Sequence, residues 1–191
     1  MSYLWIDAKA FDREFESNDW NTGRYFPPGF TTVCRAQRRR TEVSGTTELV
    51  LARHGEAHCN LAGLAGGEKT CTGLTDRGRC QAARLAARLS ADAAAGAGAD
   101  VLYAAPRRRV QETAQILGVA LDLPVCTETG LNGPDHGEAD GRPWAEIAEA
   151  FGGLPQSDPD RPYARGSETW NGYLSRVGSC LQQLNRKNYG S

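Results

Sequence analysis

Arg53-His54-Gly55-Glu56 follows directly on the apolar run Leu49-Val50-Leu51-Ala52. A guanidinium grips phosphate oxygens in pairs, an imidazole serves as nucleophile or base, and a glycine lets backbone approach a ligand closely. Together they suit attack on a phosphoryl group, with His54 as nucleophile and Arg53 as an oxygen-binding partner. A second segment, Ala104-Ala105-Pro106-Arg107-Arg108-Arg109-Val110-Gln111-Glu112-Thr113-Ala114, brings three arginines to the start of an expected helix. There the free N–H groups and the helix dipole add to the attraction for an anion. Two arginines converging from two such turns make an anion pocket.

A metal reading of the same residues is weaker. His54-x-Glu56-x-His58 resembles a helical zinc site, but the metalloprotease order needs Glu directly after the first His, and the preceding run reads as a strand. Cys59 and Cys71 would have to complete such a site. No metal and no cofactor are expected.

The chemistry requires strand ends and helix starts to hold it. Leu49–Ala52 reads as a buried strand. Thr75-Asp76-Arg77-Gly78 opens a helix to about Ala95, with Thr75 as N-cap and Asp76 favourable to the dipole. Asp100 to Ala105 is a second strand, and Pro106 starts a helix whose periodic positions run to Gly118. Leu123 to Cys126 is a third strand. Gly130 to Pro143 reads as a loop, Trp144 to Phe151 as a short helix, and roughly Ser167 to Arg186 as a final helix, with Ser167 its cap. This alternation predicts an α/β fold, a mostly parallel sheet flanked by helices on both faces, with ligands beyond the strand C-termini. The division expected is an N-terminal extension, 1–46, and an α/β domain, 47–191.

Taken in order and spacing, LVLARHGEAHCN, CTGLTDRGRCQA and AAPRRRVQETA resemble the histidine phosphatase (phosphoglycerate-mutase-like) superfamily over about Glu48 to Leu184. The resemblance implies that His54 accepts the phosphoryl group, that Arg53 and Arg109 bind it, and that Asn60 edges the pocket. Arg109 lies three residues after Pro106, the family's spacing, so Arg107 and Arg108 are expected as outer or surface residues, and Glu112 and Thr113 as structural ones. It also implies a ring proton on the nitrogen away from phosphorus, donated to a backbone carbonyl that Gly55 would bring close.

Two departures follow. Gly133 stands where the family's acidic glutamate is expected, leaving Asp135, His136 and Glu138 as substitutes, with Asp135 favoured as the proton donor and His136 as a substrate contact. The family's second catalytic histidine, on a strand after the last helix, has no counterpart before Ser191. It would be absent, replaced by His136 or supplied by another chain. The strand gap would be filled by Thr31-Thr32-Val33-Cys34-Arg35 or by a partner, or would reflect a truncated gene.

Composition bounds the rest. With 191 residues, 40% of them hydrophobic, the chain can bury one ordinary core. A net charge of −1 gives no general reason to seek nucleic acid or an anionic membrane. No apolar run reaches the roughly 20 residues a membrane span needs, and the acidic start is unlike a secretory signal, so a cytoplasmic protein is expected. The six cysteines form no CxxC pair and read as reduced thiols used in packing. Residues 1–46 hold Pro27-Pro28 and the basic cluster Arg35, Arg38-Arg39-Arg40, which reads as solvated surface. The expected partner is a phosphorylated small molecule, and a homo-oligomer stays open. The function expected is a phosphohydrolase acting on a phosphomonoester through phosphohistidine. The alternative is a degenerate member that binds phosphorylated ligands or partners without turnover. A phosphomutase ranks lower because no lid that would retain a phosphorylated intermediate is evident.

Overall fold

The computed structural model describes residues 2–6, 33–35 and 48–188. In chain order these form β1 (Ser2–Ile6), β2 (Val33–Arg35), β3 (Glu48–Ala52), α1 (His58–Leu61), α2 (Asp76–Ala94), β4 (Val101–Ala104), α3 (Arg108–Leu121), β5 (Val125–Thr127), α4 (Trp144–Phe151) and α5 (Trp170–Lys187). Short 3-10 turns at Thr129–Leu131 and Gly137–Ala139 break the loop before α4.

The five strands make one sheet in the order β2-β3-β1-β4-β5. β1 runs parallel to both β3 and β4, β4 runs parallel to β5, and β2 alone is antiparallel, on β3. The expectation of a mostly parallel sheet therefore holds. The interior place between β3 and β4 is taken by Ser2–Ile6, with Leu4 in register with Val50 and Leu102. Val33–Arg35, the stretch expected to fill that gap, pairs at the sheet's edge instead. Thr31, Thr32, Pro27-Pro28 and Arg38–Arg40 lie outside the described residues.

Helices cover both faces because successive strand residues point opposite ways. On β4, Leu102 faces α3, where a Cβ on Gly118 would touch it, while the Tyr103 hydroxyl accepts a hydrogen bond from Asn188 just past α5, at 3.2 Å. Leu102, Leu117, Tyr173 and Val177 are almost wholly buried in the main core. A smaller cluster of Ile147, Phe151, Tyr163 and Ala139 forms under the long loops, with Trp144 packed against it.

Helix ends follow local signals in part. The Thr75 hydroxyl accepts from Gly78 N at 3.0 Å and caps α2 as expected. Gly118 does not stop α3. It lies inside the helix, where a Cβ would stand 2.7 Å from the Leu123 carbonyl oxygen, and the turn closes at Asp122 in the left-handed conformation, φ 54°. Nor does Ser167 cap α5: its hydroxyl accepts from Ala164 N, and Thr169 caps the helix through Gly172 N.

Candidate active site

β3 and β4 deliver His54 and the start of α3 to the same edge of the parallel sheet, beyond the strand C-termini. His54 is buried, 5% exposed. Its Nδ1 lies 2.6 Å from the Gly55 carbonyl, which only accepts, so Nδ1 carries the proton. Its Nε2 receives a hydrogen bond from Arg109 Nε at 3.0 Å, so that nitrogen presents its lone pair. The two contacts together define one neutral tautomer, with the lone pair on Nε2 and held there by the Arg109 N–H.

Glycine makes this geometry affordable. A Cβ on Gly55 would collide with the Gly78 carbonyl, and one on Gly78 with the Glu56 carbonyl, so the motif's backbone lies directly on the first turn of α2. Thr113 of α3 fastens the other side: its hydroxyl accepts from Gly55 N at 3.2 Å and donates to the Arg109 carbonyl at 2.8 Å. Glu56 binds back to α2, its N–H donating to Gln81 and its carboxylate accepting from the Thr75 hydroxyl at 2.8 Å.

Arg109 is equally buried, 4% exposed, and its Nη1 donates to the Gly66 carbonyl at 2.7 Å. The loop carrying Gly66 is held at both ends. Asp140 accepts from Gly67 N, Lys69 N and the Thr70 hydroxyl, while Glu112 accepts from Leu74 N at 2.8 Å. Burial tends to raise both carboxyls. For Asp140 the Thr70, Gly67 and Lys69 donors outweigh it, and for Glu112 the Leu74 N–H with Arg108 and Arg79, so both sit below their ordinary values.

Arg107 corrects the expectation that it lies outside. Its guanidinium is buried, and Nη2 donates to the carbonyls of Gly133 at 3.1 Å and Pro134 at 2.6 Å. From the other side, Arg176 of α5 pairs with Glu168 and donates to the Gly130 and Asn132 carbonyls at 3.1 and 3.0 Å. Two arginines thus clamp the loop that carries Gly133. Arg108 is the surface residue of the three, paired with Glu112.

The remaining candidates lie around this centre. Arg53 is half-buried, adjacent to His54 on the chain. Asn60 is exposed and accepts from Ala57 N at 3.1 Å, closing α1. Asp135 is exposed, with Oδ1 accepting from Gly137 N, directly after the Pro134 that Arg107 holds. His136 is buried, shares a 2.6 Å hydrogen bond with the Tyr163 hydroxyl and meets Trp144 edge-on, which joins it to the smaller core. The structure brings His54 and Arg109 into direct contact. Asp135 and His136 lie on the loop whose Gly133 and Pro134 carbonyls accept from Arg107, one residue before α3.

Sequence reasoning missed the buried Arg107 and the bridging role of Thr113. Three arginines in a row at a helix start were the available signal for the first. Among the described residues no three His, Cys, Asp or Glu side chains stand together to hold a metal ion, and no helix is long and apolar enough to cross a membrane.

The family model for the histidine phosphatase superfamily (branch 1) matches residues 49–191. A 2,3-bisphosphoglycerate-dependent phosphoglycerate mutase of Bartonella quintana is 30% identical over 143 residues, 68% of this chain and 68% of that protein. A metal-independent phosphoserine phosphatase of Arabidopsis thaliana is 29% identical over 195 residues, all of this chain and 71% of the other. Among solved structures, a mycobacterial glucosyl-3-phosphoglycerate phosphatase with VO3 superposes with a TM-score of 0.61 at 23% identity, covering 71% of this chain and 66% of that one. The last likeness speaks to the fold. The chain spans about two thirds of the length of these proteins.

Proposed function

The chain belongs to the histidine phosphatase superfamily, branch 1, and from that premise we propose that it is a phosphohydrolase that removes the phosphoryl group of a small phosphomonoester through phosphohistidine on His54. The observation that carries this is the paired contact on the ring: Nδ1–H to the Gly55 carbonyl and Nε2 toward Arg109. Of the two relatives compared by sequence above, the one from Arabidopsis thaliana is named a phosphoserine phosphatase and the one from Bartonella quintana a phosphoglycerate mutase.

In this reading the Nε2 lone pair attacks phosphorus and the bond to the leaving oxygen breaks. The Arg109 guanidinium, already beside Nε2, donates to the phosphoryl oxygens with Arg53, offsetting charge that grows in the transition state. The Gly55 carbonyl accepts from Nδ1–H throughout and stabilises the ring as it becomes cationic. Asp135 is the proposed donor to the leaving oxygen, and Asn60 and His136 are proposed substrate contacts. Water then gives a proton back to Asp135 and attacks phosphorus, the N–P bond breaks, and phosphate leaves with the ring restored.

The alternative, phosphate binding without turnover, draws on Gly133: Arg107 and Arg176 both reach its carbonyl, and both are cations that give up no proton near neutral pH. Incubation with generic phosphomonoesters distinguishes the two. The expected result is product together with an acid-labile phosphoenzyme that His54→Ala abolishes. Phosphate uptake that Arg109→Ala removes, with neither product nor phosphoenzyme, would establish the binding reading instead.

A further inference from the structure

Asp135 is exposed, yet contacts from a later part of the chain fix its backbone. The Glu168 N–H donates to the Asp135 carbonyl at 2.9 Å, the Tyr163 hydroxyl donates to the same carbonyl at 3.3 Å, and the Asp135 N–H donates to Glu168 Oε2 at 3.4 Å. Further along, Glu138 N donates to the Arg165 carbonyl at 3.0 Å, so residues 135–138 and 165–168 run antiparallel. Between these links Gly137 has φ 53°, and a Cβ there would stand 2.4 Å from the Arg165 carbonyl oxygen, so the two segments lie backbone to backbone. Gly137 N in turn donates to Asp135 Oδ1 at 2.9 Å, which leaves Oδ2 as the oxygen to carry a transferable proton.

Glu168 is itself held by Arg176 of α5. The guanidinium donates from Nε to Oε1 at 3.0 Å and from Nη2 to Oε2 at 2.7 Å, a fork that fixes the carboxylate in plane as well as in place. The same guanidinium donates to the Gly130 and Asn132 carbonyls, and a Cβ on Gly130 would strike Cys180 Sγ, so α5 lies against the start of the loop that leads to Asp135. Pairing with Arg176 also offsets the negative charge that Glu168 brings beside Asp135.

We infer that Glu168 and Arg176 form a positioning pair that aims the Asp135 carboxyl at the leaving oxygen. The inference rests on the proposed reading of Asp135 as proton donor. As the bond from phosphorus to the leaving oxygen breaks, its electron pair goes to that oxygen, the proton on Oδ2 transfers there, and Asp135 is left a carboxylate. Neither Glu168 nor Arg176 touches the reacting atoms. Their effect is on geometry: proton transfer needs hydrogen-bond reach, and an exposed aspartate on a loop keeps that reach only where its backbone is tied down.

The test compares kcat/KM for p-nitrophenyl phosphate, whose leaving group departs as a stable anion, with kcat/KM for glycerol phosphate, whose alkoxide needs the proton. This constant reports transfer to His54 and leaves out the later hydrolysis. The quantity read is the ratio of the aryl to the alkyl value in the full chain. Glu168→Gln should raise it about tenfold and Asp135→Asn about a hundredfold, as expected for partial and complete loss of a general acid. The double variant should rise no further than Asp135→Asn alone, since a residue that acts through another adds nothing once the other is gone. Arg176→Lys keeps the charge and gives up the fork, so it should move the ratio in the same direction, and it serves where Glu168→Gln does not fold. Inorganic phosphate binding, measured by calorimetry, should be unchanged in these variants because His54 and Arg109 are untouched. An unchanged ratio in Glu168→Gln and Arg176→Lys beside a raised one in Asp135→Asn would overturn the positioning pair. Equal losses on both esters with weakened phosphate binding would overturn it too, marking a pair that serves only the fold. An unchanged ratio in Asp135→Asn would overturn the donor assignment, and no turnover by the unaltered protein would overturn the phosphohydrolase reading; either removes the pair's role with it.

Discussion

At the scale of single residues, the His54 ring is set by neighbours that each satisfy another demand. Gly55 supplies the carbonyl for Nδ1, and its own N–H is satisfied by Thr113, whose hydroxyl also donates to the Arg109 carbonyl. Thr113→Val keeps the shape and removes both bonds, leaving a buried N–H without its acceptor. The expected cost is about 1–3 kcal/mol in denaturant unfolding, with a larger fractional loss of phosphate binding than of stability because Arg109 and His54 lose their common brace. Equal stability and affinity to the unaltered protein would show that the hydroxyl bridges nothing of consequence. The motif residues were legible because their chemistry is local: a strand end, a glycine, and an arginine three places after Pro106. Arg107 was not. Its burial depends on the Gly133 and Pro134 carbonyls, brought in from a distant loop that a local pattern does not locate.

At the scale of elements, Glu112 is the joint between α3 and the loop that carries Cys71. It accepts from Leu74 N and pairs with Arg79 and Arg108. Burial raises this carboxyl, but the Leu74 N–H and the two arginines more than compensate, and the folded value is depressed. A depressed carboxyl stabilises the fold above its ordinary pKa of about 4.3 and loses that contribution as pH falls through the lower folded value. The stability gap between the unaltered protein and Glu112→Gln should therefore be widest near neutrality and narrow below about pH 4, as urea midpoints across that range would reveal. A gap independent of pH would mean the carboxylate charge is irrelevant to the joint. Helix starts at Asp76 and Trp144 could be read from their flanking residues. The start of α5 could not, since Ser167 and Thr169 are both plausible caps and only the tertiary turn at Ala164 engages the serine.

At the scale of the whole molecule, the sheet depends on a strand from the far N-terminus. β3 and β4 carry the two halves of the site, yet they are not neighbours: β1 lies between them and pairs with both. Leu4→Pro, at the middle of this interior strand, removes a backbone donor and forces a fixed φ where ladders run on either side. A loss of about 2–4 kcal/mol is expected, together with loss of phosphate binding, since the spacing of His54 and Arg109 rests on β1. Thermal melting with phosphate titration checks both, and a fully stable, binding-competent variant would refute the dependence. Periodicity revealed that strands alternate with helices, but strand order is a property of pairing across long separations, so the expectation fell on the β-prone Thr31 to Arg35 and passed over Ser2–Ile6. The register carries a further consequence for the chain as it is made. Ser2 pairs with Glu48 and Tyr3 with Val101, so β1 must wait, unpartnered on one side, until the chain has been made past Val101. During that interval its open edge is a candidate for capture by a chaperone, or by the same edge on a neighbouring nascent chain.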